Sequence, residues 1–291
     1  MQPALPHVSV LLNETVGLLA PAPGLRFLDC TLGAGGHAAA LLAAGATVTG
    51  IDRDPRAREL AQGRLAGYAD RLTVLDQTFS DAAAGLVASG ATFNGVLADL
   101  GVSSMQIDDA GRGFSLRDES RADMRMGTGC PVDAIGLIDA STETELADII
   151  YRYGEERLSR RIASAIKRAR AKGIDSAAGL AEAIRGCIPG HQPRHPALRT
   201  FQALRIAVND ELGELERLLA VLPKLVAANG CAVVISFHSL EDRQVKIAFK
   251  TQQQRKRWSD IARRPVAAGD AEIAENPRSH SAKLRWARRA A

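Results

Sequence analysis

Leu25-Arg26-Phe27-Leu28-Asp29-Cys30-Thr31-Leu32-Gly33-Ala34-Gly35-Gly36-His37 is the stretch that decides the fold. Its first five residues read as a short buried strand, the glycines as a sharp turn, and the Ala/Leu-rich run through about Ala44 as a helix. The same alternation repeats outward. Residues 47–51 read as a second strand, followed by a helix from about Pro55 to Ala66. Residues 72–75 read as a third strand and residues 95–99 as a fourth. Strands separated by single helices predict right-handed crossovers and a parallel α/β sheet. The glycine turn then lies at the carboxyl edge, where ligands of such sheets bind.

The alternation stops after Asp99. Residues 100–128 are rich in Gly, Ser, Asp and Arg and read as a long loop, of the kind that is usually functional. From about Val132 to Arg185 the periodicity is helical, with Leu146, Ile149, Ile150 and Tyr153 on one face and Ile162, Ile166 and Ala169 on another. A loop over 188–196 precedes a single long helix expected from about Arg199 to Leu222. Cys231 to Ser236 is a continuous apolar run, read as a fifth strand, and a helix follows from about Leu240 to Lys250. A polar, basic linker leads to residues 282–287, whose weak alternation suggests an edge strand. The expected organisation is an α/β domain over 1–104, a loop plus inserted helical domain over 105–205, and the second part of the α/β domain over 206–291.

Composition narrows the classes. With 291 residues, 46% hydrophobic and 24% charged, the chain is that of a globular protein. Aromatics are only 4%, too few for an abundant stacking surface for single strands. No apolar stretch approaches the roughly 18 residues that span a bilayer, and the amino terminus lacks a secretion signal. Cys30, Cys130, Cys187 and Cys231 are widely scattered, in no zinc or redox spacing, which points to a reduced cytoplasmic compartment. From Arg243 onward there are thirteen Lys/Arg against four Asp/Glu, a balance of +9 in a chain of net +4. A basic segment on a mildly acidic body suits contact with a polyphosphate, or else a solvated tail.

Several side chains carry the chemical reading. The turn misses the dinucleotide spacing Gly-x-Gly-x-x-Gly because position 38 is Ala. Asp52 ends the second strand, where a carboxylate can accept hydrogen bonds from both hydroxyls of an adenosine ribose. Asp29 beside the turn would repel a pyrophosphate but suits a cofactor bearing an ammonium and a sulfonium; a turn-stabilising role is the alternative. Phe79 either packs on an adenine face or belongs to the core. Asp99 and Gln106, at and after the end of the fourth strand, are candidate polar contacts, or loop caps. His238 and Ser239 follow the fifth strand and could line a base pocket with Glu241 and Asp242. Ser239 as a helix N-cap, with Asp242 at N3, is the structural alternative. His191 and His195 are four apart, but Pro193 forbids the helix that would make them a metal pair, and no metal is expected.

Many short blocks resemble one family. They are Val10-Leu11-Leu12-Asn13-Glu14 with His7, Gly35-Gly36-His37, Ile51-Asp52-Arg53-Asp54-Pro55, Asp99-Leu100-Gly101-Val102-Ser103-Ser104 and Arg112-Gly113-Phe114-Ser115. Further along stand Asp123-Met124-Arg125-Met126, Tyr153-Gly154-Glu155-Glu156-Arg157, His195-Pro196-Ala197 and Arg199-Thr200-Phe201-Gln202-Ala203-Leu204-Arg205-Ile206. Ser236-Phe237-His238-Ser239-Leu240-Glu241-Asp242-Arg243 and Glu275-Asn276-Pro277-Arg278-Ser279 complete the set. In order and nearly end to end, the chain resembles the bacterial methyltransferases that modify the N4 amino group of a cytidine in the decoding region of small-subunit (16S) ribosomal RNA, the RsmH/MraW family. Met105 stands where that family usually has proline, and His280 where arginine is common.

The resemblance implies a class I S-adenosylmethionine-dependent methyltransferase fold with an inserted all-helical domain. It implies S-adenosyl-L-methionine as cofactor, held by Gly35, Gly36, His37, Asp52, Phe79, Asp99 and Gln106. The partner it implies is small-subunit ribosomal RNA, within an assembled or assembling 30S subunit. An exocyclic cytosine amine is a poor nucleophile, so alignment and electrostatics must supply most of the acceleration. Asp99 is the candidate for orienting that amine, or for holding the cofactor's amino group. Arg112, Arg199, Arg243, Arg278, Lys283 and Arg285 are candidate phosphate contacts, since guanidinium and ammonium groups bind phosphates, and Arg255-Lys256-Arg257 is either a further such contact or a solvated helix end. A structured base would have to be flipped to reach the pocket. The rival classes are a nicotinamide oxidoreductase, a non-catalytic RNA-binding protein and a small-molecule methyltransferase.

Overall fold

The structure, a computed structural model, describes residues 9–127, 129–190 and 193–291. His7 and His191 lie outside the described residues. The described residues up to Gly101, together with Leu212–Ala291, form one compact unit, and Val102–Glu211 form a second.

In chain order the first unit contributes α1 (Leu12–Leu19), β1 (Arg26–Asp29), α2 (Gly36–Ala43), β2 (Thr47–Ile51), α3 (Pro55–Arg64), β3 (Leu72–Leu75), α4 (Phe79–Ala88) and β4 (Phe93–Asp99). The second unit carries α5 (Ser104–Asp108), α6 (Ala134–Ala140), α7 (Glu143–Gly154), α8 (Ser159–Ala171), α9 (Ala177–Cys187) and α10 (Leu198–Asn209). The chain returns through α11 (Glu211–Leu225) to β5 (Val226–Ser236), α12 (Ser239–Gln254), β6 (Trp258–Ile261), α13 (Asp270–Glu275) and β7 (Lys283–Arg289).

Among the described residues, the strands form one sheet in the order β3-β2-β1-β4-β5-β7-β6. The first five run parallel, and β7 is antiparallel to both β5 and β6. This is the α/β sheet expected of a class I methyltransferase. Both faces are covered, as the nearly continuous burial of β1, β4 and the second half of β5 requires. Leu28, Val96, Ala98, Ala232 and Val234 join Leu215, Leu218 and Leu222 of α11 and Val245 and Phe249 of α12 in one core. Phe27, Val48, Leu97, Val233, Ile235 and Leu284 face the other way, onto Leu19 of α1 and Leu41 and Leu42 of α2. Local capping agrees with this layout: Asp54 accepts from Arg56 N at 3.1 Å to start α3, with Pro55 at its first position.

The second unit is helical, around Ile135, Ile138, Leu146, Ile150, Ile162, Ile166, Leu180, Ile184, Phe201 and Leu204. The 100–128 stretch, expected as loop throughout, contains the short α5, started by a reciprocal cap between Ser103 and Gln106.

Three further expectations need correction. The single helix expected over 199–222 is two, because Asp210 adopts a left-handed conformation (φ 49°) between α10 and α11. Asn209, buried at that break, donates to the carbonyls of Met124 at 2.7 Å and Arg205 at 2.9 Å, and accepts from Met126 N at 2.8 Å. The helix ends where that side chain pins a distant loop. The segment at 282–287 is no edge strand: β7 lies between β5 and β6. The edge is β6, inside what read as a polar linker, held by Trp258, which is buried against Phe249 at 6.0 Å between ring centroids.

Candidate active site

The site is built at the carboxyl edge of the parallel strands in the first unit. Cys30 N extends the β1–β4 ladder by donating to Leu97 O at 2.8 Å, and Leu32 N donates to Ile51 O at 2.9 Å. The chain then has to turn within three residues into α2. Gly33 (φ 52°) and Gly35 (φ 75°) take left-handed conformations that side chains disfavour. A Cβ on Gly35 would also lie 2.8 Å from Leu65 Cδ1, and one on Gly36 would collide with Ser9 Oγ. The two glycines therefore let the turn pack directly against Leu65 and Ser9, which fixes its backbone at the carboxyl edge.

Asp52 staples this turn to the next one. Its Oδ2 accepts from Gly33 N at 2.9 Å and its Oδ1 from Asp54 N at 2.8 Å. Each oxygen keeps a further lone pair for a ligand hydroxyl. Burial pushes its carboxyl above the ordinary range, against the pull of those two N–H groups.

Asp29 is almost wholly buried, and its Oδ1 accepts from Thr31 N at 3.1 Å. Burial first, and the neighbouring Asp52 charge as well, raise its carboxyl to about 7. Asp29 thus stabilises the turn, and its buried carboxyl holds a proton more tightly than an ordinary aspartate does.

Asp99 closes the cluster. Its backbone N–H donates to Thr31 Oγ1 at 2.6 Å, which fixes the end of β4 against the turn. Among the described residues its Oδ1, which is buried, has no hydrogen-bond partner, and Oδ2 lies 3.9 Å from His37 Nδ1. His37 Nε2 donates to the carbonyl of Val10 at 3.1 Å, so Nδ1 of the neutral ring presents a lone pair toward Asp99. Burial raises the Asp99 carboxyl well above its ordinary range, helped by the charges of Asp29 and Glu241. Burial and neighbouring acids thus disfavour ionisation of this oxygen, a balance that a nearby cation would reverse.

The His238 segment is more structural than the sequence indicated. His238, not Ser239, is the N-cap of α12, accepting from Glu241 N at 3.4 Å through Nδ1. Glu241, rather than Asp242, occupies N3: its Oε2 accepts from Phe237 N at 2.9 Å and His238 N at 3.3 Å. Ser239 is exposed at the first helical position. Phe79 begins α4, half-buried against the core.

In the second unit, Gln106 is buried, and its Oε1 accepts from Ser103 N at 3.1 Å. Arg112 donates to the carbonyls of Arg125 at 2.8 Å and Met126 at 3.3 Å and lies over the Phe114 ring, so its first task is to hold its own loop. Arg199 is exposed and donates to Glu155 O at 3.3 Å. In the first unit Arg243 and Arg278 are exposed. Lys283 is half-exposed, 3.7 Å from Asp242. Arg285 corrects the sequence reading: only 5% exposed, it is locked to Asp242 at 2.6 Å and is an internal ion pair, not a surface phosphate contact. Sequence reasoning missed Thr31 and the Val10 carbonyl, whose roles depend on contacts across 68 and 27 residues.

The chain also matches known proteins over nearly its whole length. The model of the MraW methylase family matches residues 4–290. A protein of Sorangium cellulosum named Ribosomal RNA small subunit methyltransferase H is 49% identical over 290 residues, covering 97% of this chain and 90% of that one. A Deinococcus radiodurans protein of the same name is 49% identical over 293 residues, covering 99% and 91%. One from Gluconobacter oxydans is 47% identical over 298 residues, covering 96% and 92%.

Proposed function

This chain belongs to the MraW methylase family, and on that premise we propose that it transfers a methyl group from S-adenosylmethionine to the N4 amino group of a cytidine in the decoding region of small-subunit (16S) ribosomal RNA. The observation that carries the reading is the buried, unpartnered Oδ1 of Asp99, set at the carboxyl edge beside a bare glycine turn and within reach of the Asp29 and Glu241 charges. Such a site favours a cationic ligand and disfavours the pyrophosphate of a nicotinamide cofactor.

S-adenosylmethionine, when bound, supplies an electrophilic methyl on positively charged sulfur. The proposed contacts are Gly35, Gly36, His37, Asp52, Phe79, Asp99 and Gln106. Gly35 and Gly36, packed against Leu65 and Ser9, hold the turn whose backbone would meet the ligand. Asp52 accepts from ribose hydroxyls through the lone pairs its two backbone bonds leave over. Phe79 offers an apolar face for adenine. Asp29 and Asp99 balance the cation's charge in a site that burial has made poorly solvated.

The base amine must lose a proton as it gains a methyl. Asp99 Oδ1, which has no hydrogen-bond partner among the described residues, accepts a hydrogen bond from the amine and aims the nitrogen lone pair at the reacting carbon. It takes up the proton released once the N–C bond has formed and the methyl has left its sulfur. Aligning donor and acceptor removes the entropy cost of the encounter, and the carboxylate stabilises the positive charge that develops on nitrogen. Exposed Arg199, Arg243, Arg278 and Lys283 would meet RNA phosphates. Arg112 joins them only through its loop, and His238 acts by fixing the start of α12.

The setting of this reaction is the cytoplasm, on an assembled or assembling 30S subunit. Among the described residues no helix is long and apolar enough to cross a membrane. The test is mass mapping of small-subunit ribosomal RNA from cells with and without the protein. Loss of one methyl on one decoding-region cytidine supports the reading, and an unchanged methylation map overturns it.

A further inference from the structure

The far edge of the first unit carries a second charged feature. A cleft of about 400 Å³ opens at the amino edge of the sheet, between Thr92 before β4, the start of β5 at Val226, and the end of β7. Among the described residues, four cationic side chains line it, Lys224, Lys256, Arg257 and Arg289, and no acidic side chain does. Lys224, Lys256 and Arg257 are exposed, and Arg289 is held by donating through Nη1 to the carbonyl of Pro223. β4 spans seven residues, so at about 3.3 Å per residue the cleft lies roughly 20 Å from Asp99.

Lys256 is placed there at a cost. It follows the C-cap of α12 in a left-handed conformation, φ 57°, the position where helices favour glycine. Lys256 N donates to Gln253 O at 2.8 Å and Arg257 N to Gln252 O at 3.0 Å, the paired bonds of a Schellman turn. Glycine would close that turn without strain. A lysine there, beside three other cations in a cleft that only the carboxyl of Ala291 offsets among the described residues, is unfavourable to the isolated protein on two counts, backbone strain and charge repulsion.

We propose that this cleft binds phosphodiester groups of the RNA substrate, as a docking site separate from the methyl-transfer edge. It rests on the reading of the chain as an enzyme of ribosomal RNA. Phosphate contacts position a protein without reading sequence, and each adds salt dependence to binding. A contact that releases one counterion is worth about fivefold in affinity at 0.15 M salt.

The test compares wild type, Lys256→Gly, and the triple variant Lys224→Gln, Lys256→Gln, Arg257→Gln, with small-subunit ribosomal RNA, free and as 30S subunits from cells lacking the protein, as probe. Affinity is read against salt concentration, and methylation with labelled S-adenosylmethionine is measured in parallel. The triple variant is expected to bind roughly a hundredfold more weakly at 0.15 M salt, with a log–log salt slope shallower by about two to three. Lys256→Gly is expected to lose about fivefold in affinity and about one unit of slope while its melting temperature rises, a combination that a purely structural lysine cannot produce.

Unchanged slopes in both variants overturn the cleft alone if the wild type methylates this RNA. A wild type that transfers no methyl overturns the proposed function, while the slope comparison still decides the cleft. Inorganic phosphate binding that is lost in the triple variant without any change in RNA slope would show a free-anion site and overturn RNA docking.

Discussion

Replacing Asp99 with asparagine tests the cation receptor most directly, because the ligand-free protein and the cofactor complex should respond in opposite directions. In the ligand-free protein Asp99 Oδ1 is buried and unsatisfied, and the charges of Asp29 and Glu241 oppose its ionisation. An amide removes that repulsion, and its N–H can donate toward His37 Nδ1, now 3.9 Å from Oδ2. Among the described residues Oδ1 keeps no donor, so the gain is the lost repulsion and the new N–H contact, about 1 kcal/mol, and each kcal/mol raises the melting temperature of a chain this size by about 2–4 °C. The cofactor should suffer instead. Losing one partner of a buried charge pair costs about 2–5 kcal/mol, and a side chain still 20% exposed belongs at the lower end. About 2–3 kcal/mol weakens Kd by roughly 30- to 150-fold.

Titration calorimetry with S-adenosylmethionine and S-adenosylhomocysteine separates the possible roles of this side chain. If Asp99 senses the sulfonium, only the charged cofactor loses affinity; if it holds the α-ammonium, both lose alike. Turnover at saturating cofactor adds the amine-orienting role, expected as a further loss of about a hundredfold in kcat. An Asp99→Asn protein that melts lower than wild type and binds S-adenosylmethionine with unchanged affinity would refute the receptor argument.

Three other outcomes follow from the same structure. Asp29 has its carboxyl raised to about 7 from 3.8, so between those values the folded, ligand-free protein holds a proton that the unfolded chain releases. Its contribution to stability therefore falls as pH rises from about 4 to 7, by at most about 4 kcal/mol. A bound cation favours the carboxylate, so S-adenosylmethionine affinity should rise up to about pH 7 with proton release visible in buffers of different ionisation enthalpy; pH-independent binding across that range contradicts this. Arg285→Ala leaves the Asp242 carboxylate only its looser contact with Lys283 at 3.7 Å and should destabilise the fold by about 2–3 kcal/mol without altering the salt slope of RNA binding; a changed slope with intact stability would restore it as a surface contact. Gly35→Ala sets a Cβ 2.8 Å from Leu65 Cδ1 at a φ of 75°, and about 1–3 kcal/mol of stability together with roughly tenfold or more in cofactor affinity should be lost; a protein that melts and binds as wild type does removes the glycine argument.

Much of this was legible in the chain because it depends on local order. The strand–turn–helix around Gly33 to Gly36 follows from apolar runs and from the conformations only glycine takes easily. Asp52 and Asp99 are each the last residue, or the next, of a short apolar strand, so sheet topology alone puts both at one edge. The periodic positions Leu146, Ile150, Ile162 and Ile166 announced the helical unit, and all are fully buried.

Other features were decided only by tertiary contacts. Nothing local distinguishes Arg285, deep in an ion pair with Asp242, from the exposed Arg243 or Arg278. The break at Asp210 follows from Asn209 reaching a loop more than eighty residues earlier. β6 exists because β7 offers it an edge, and its polar Ser259 and Asp260 conceal it from any search for apolar runs. Above all, the raised carboxyls of Asp29 and Asp99 come from burial and from neighbouring charge, quantities set by groups far apart in the chain. Propensity and periodicity are properties of consecutive residues and can be read in order, whereas desolvation and charge coupling arise only once the fold has brought the groups together.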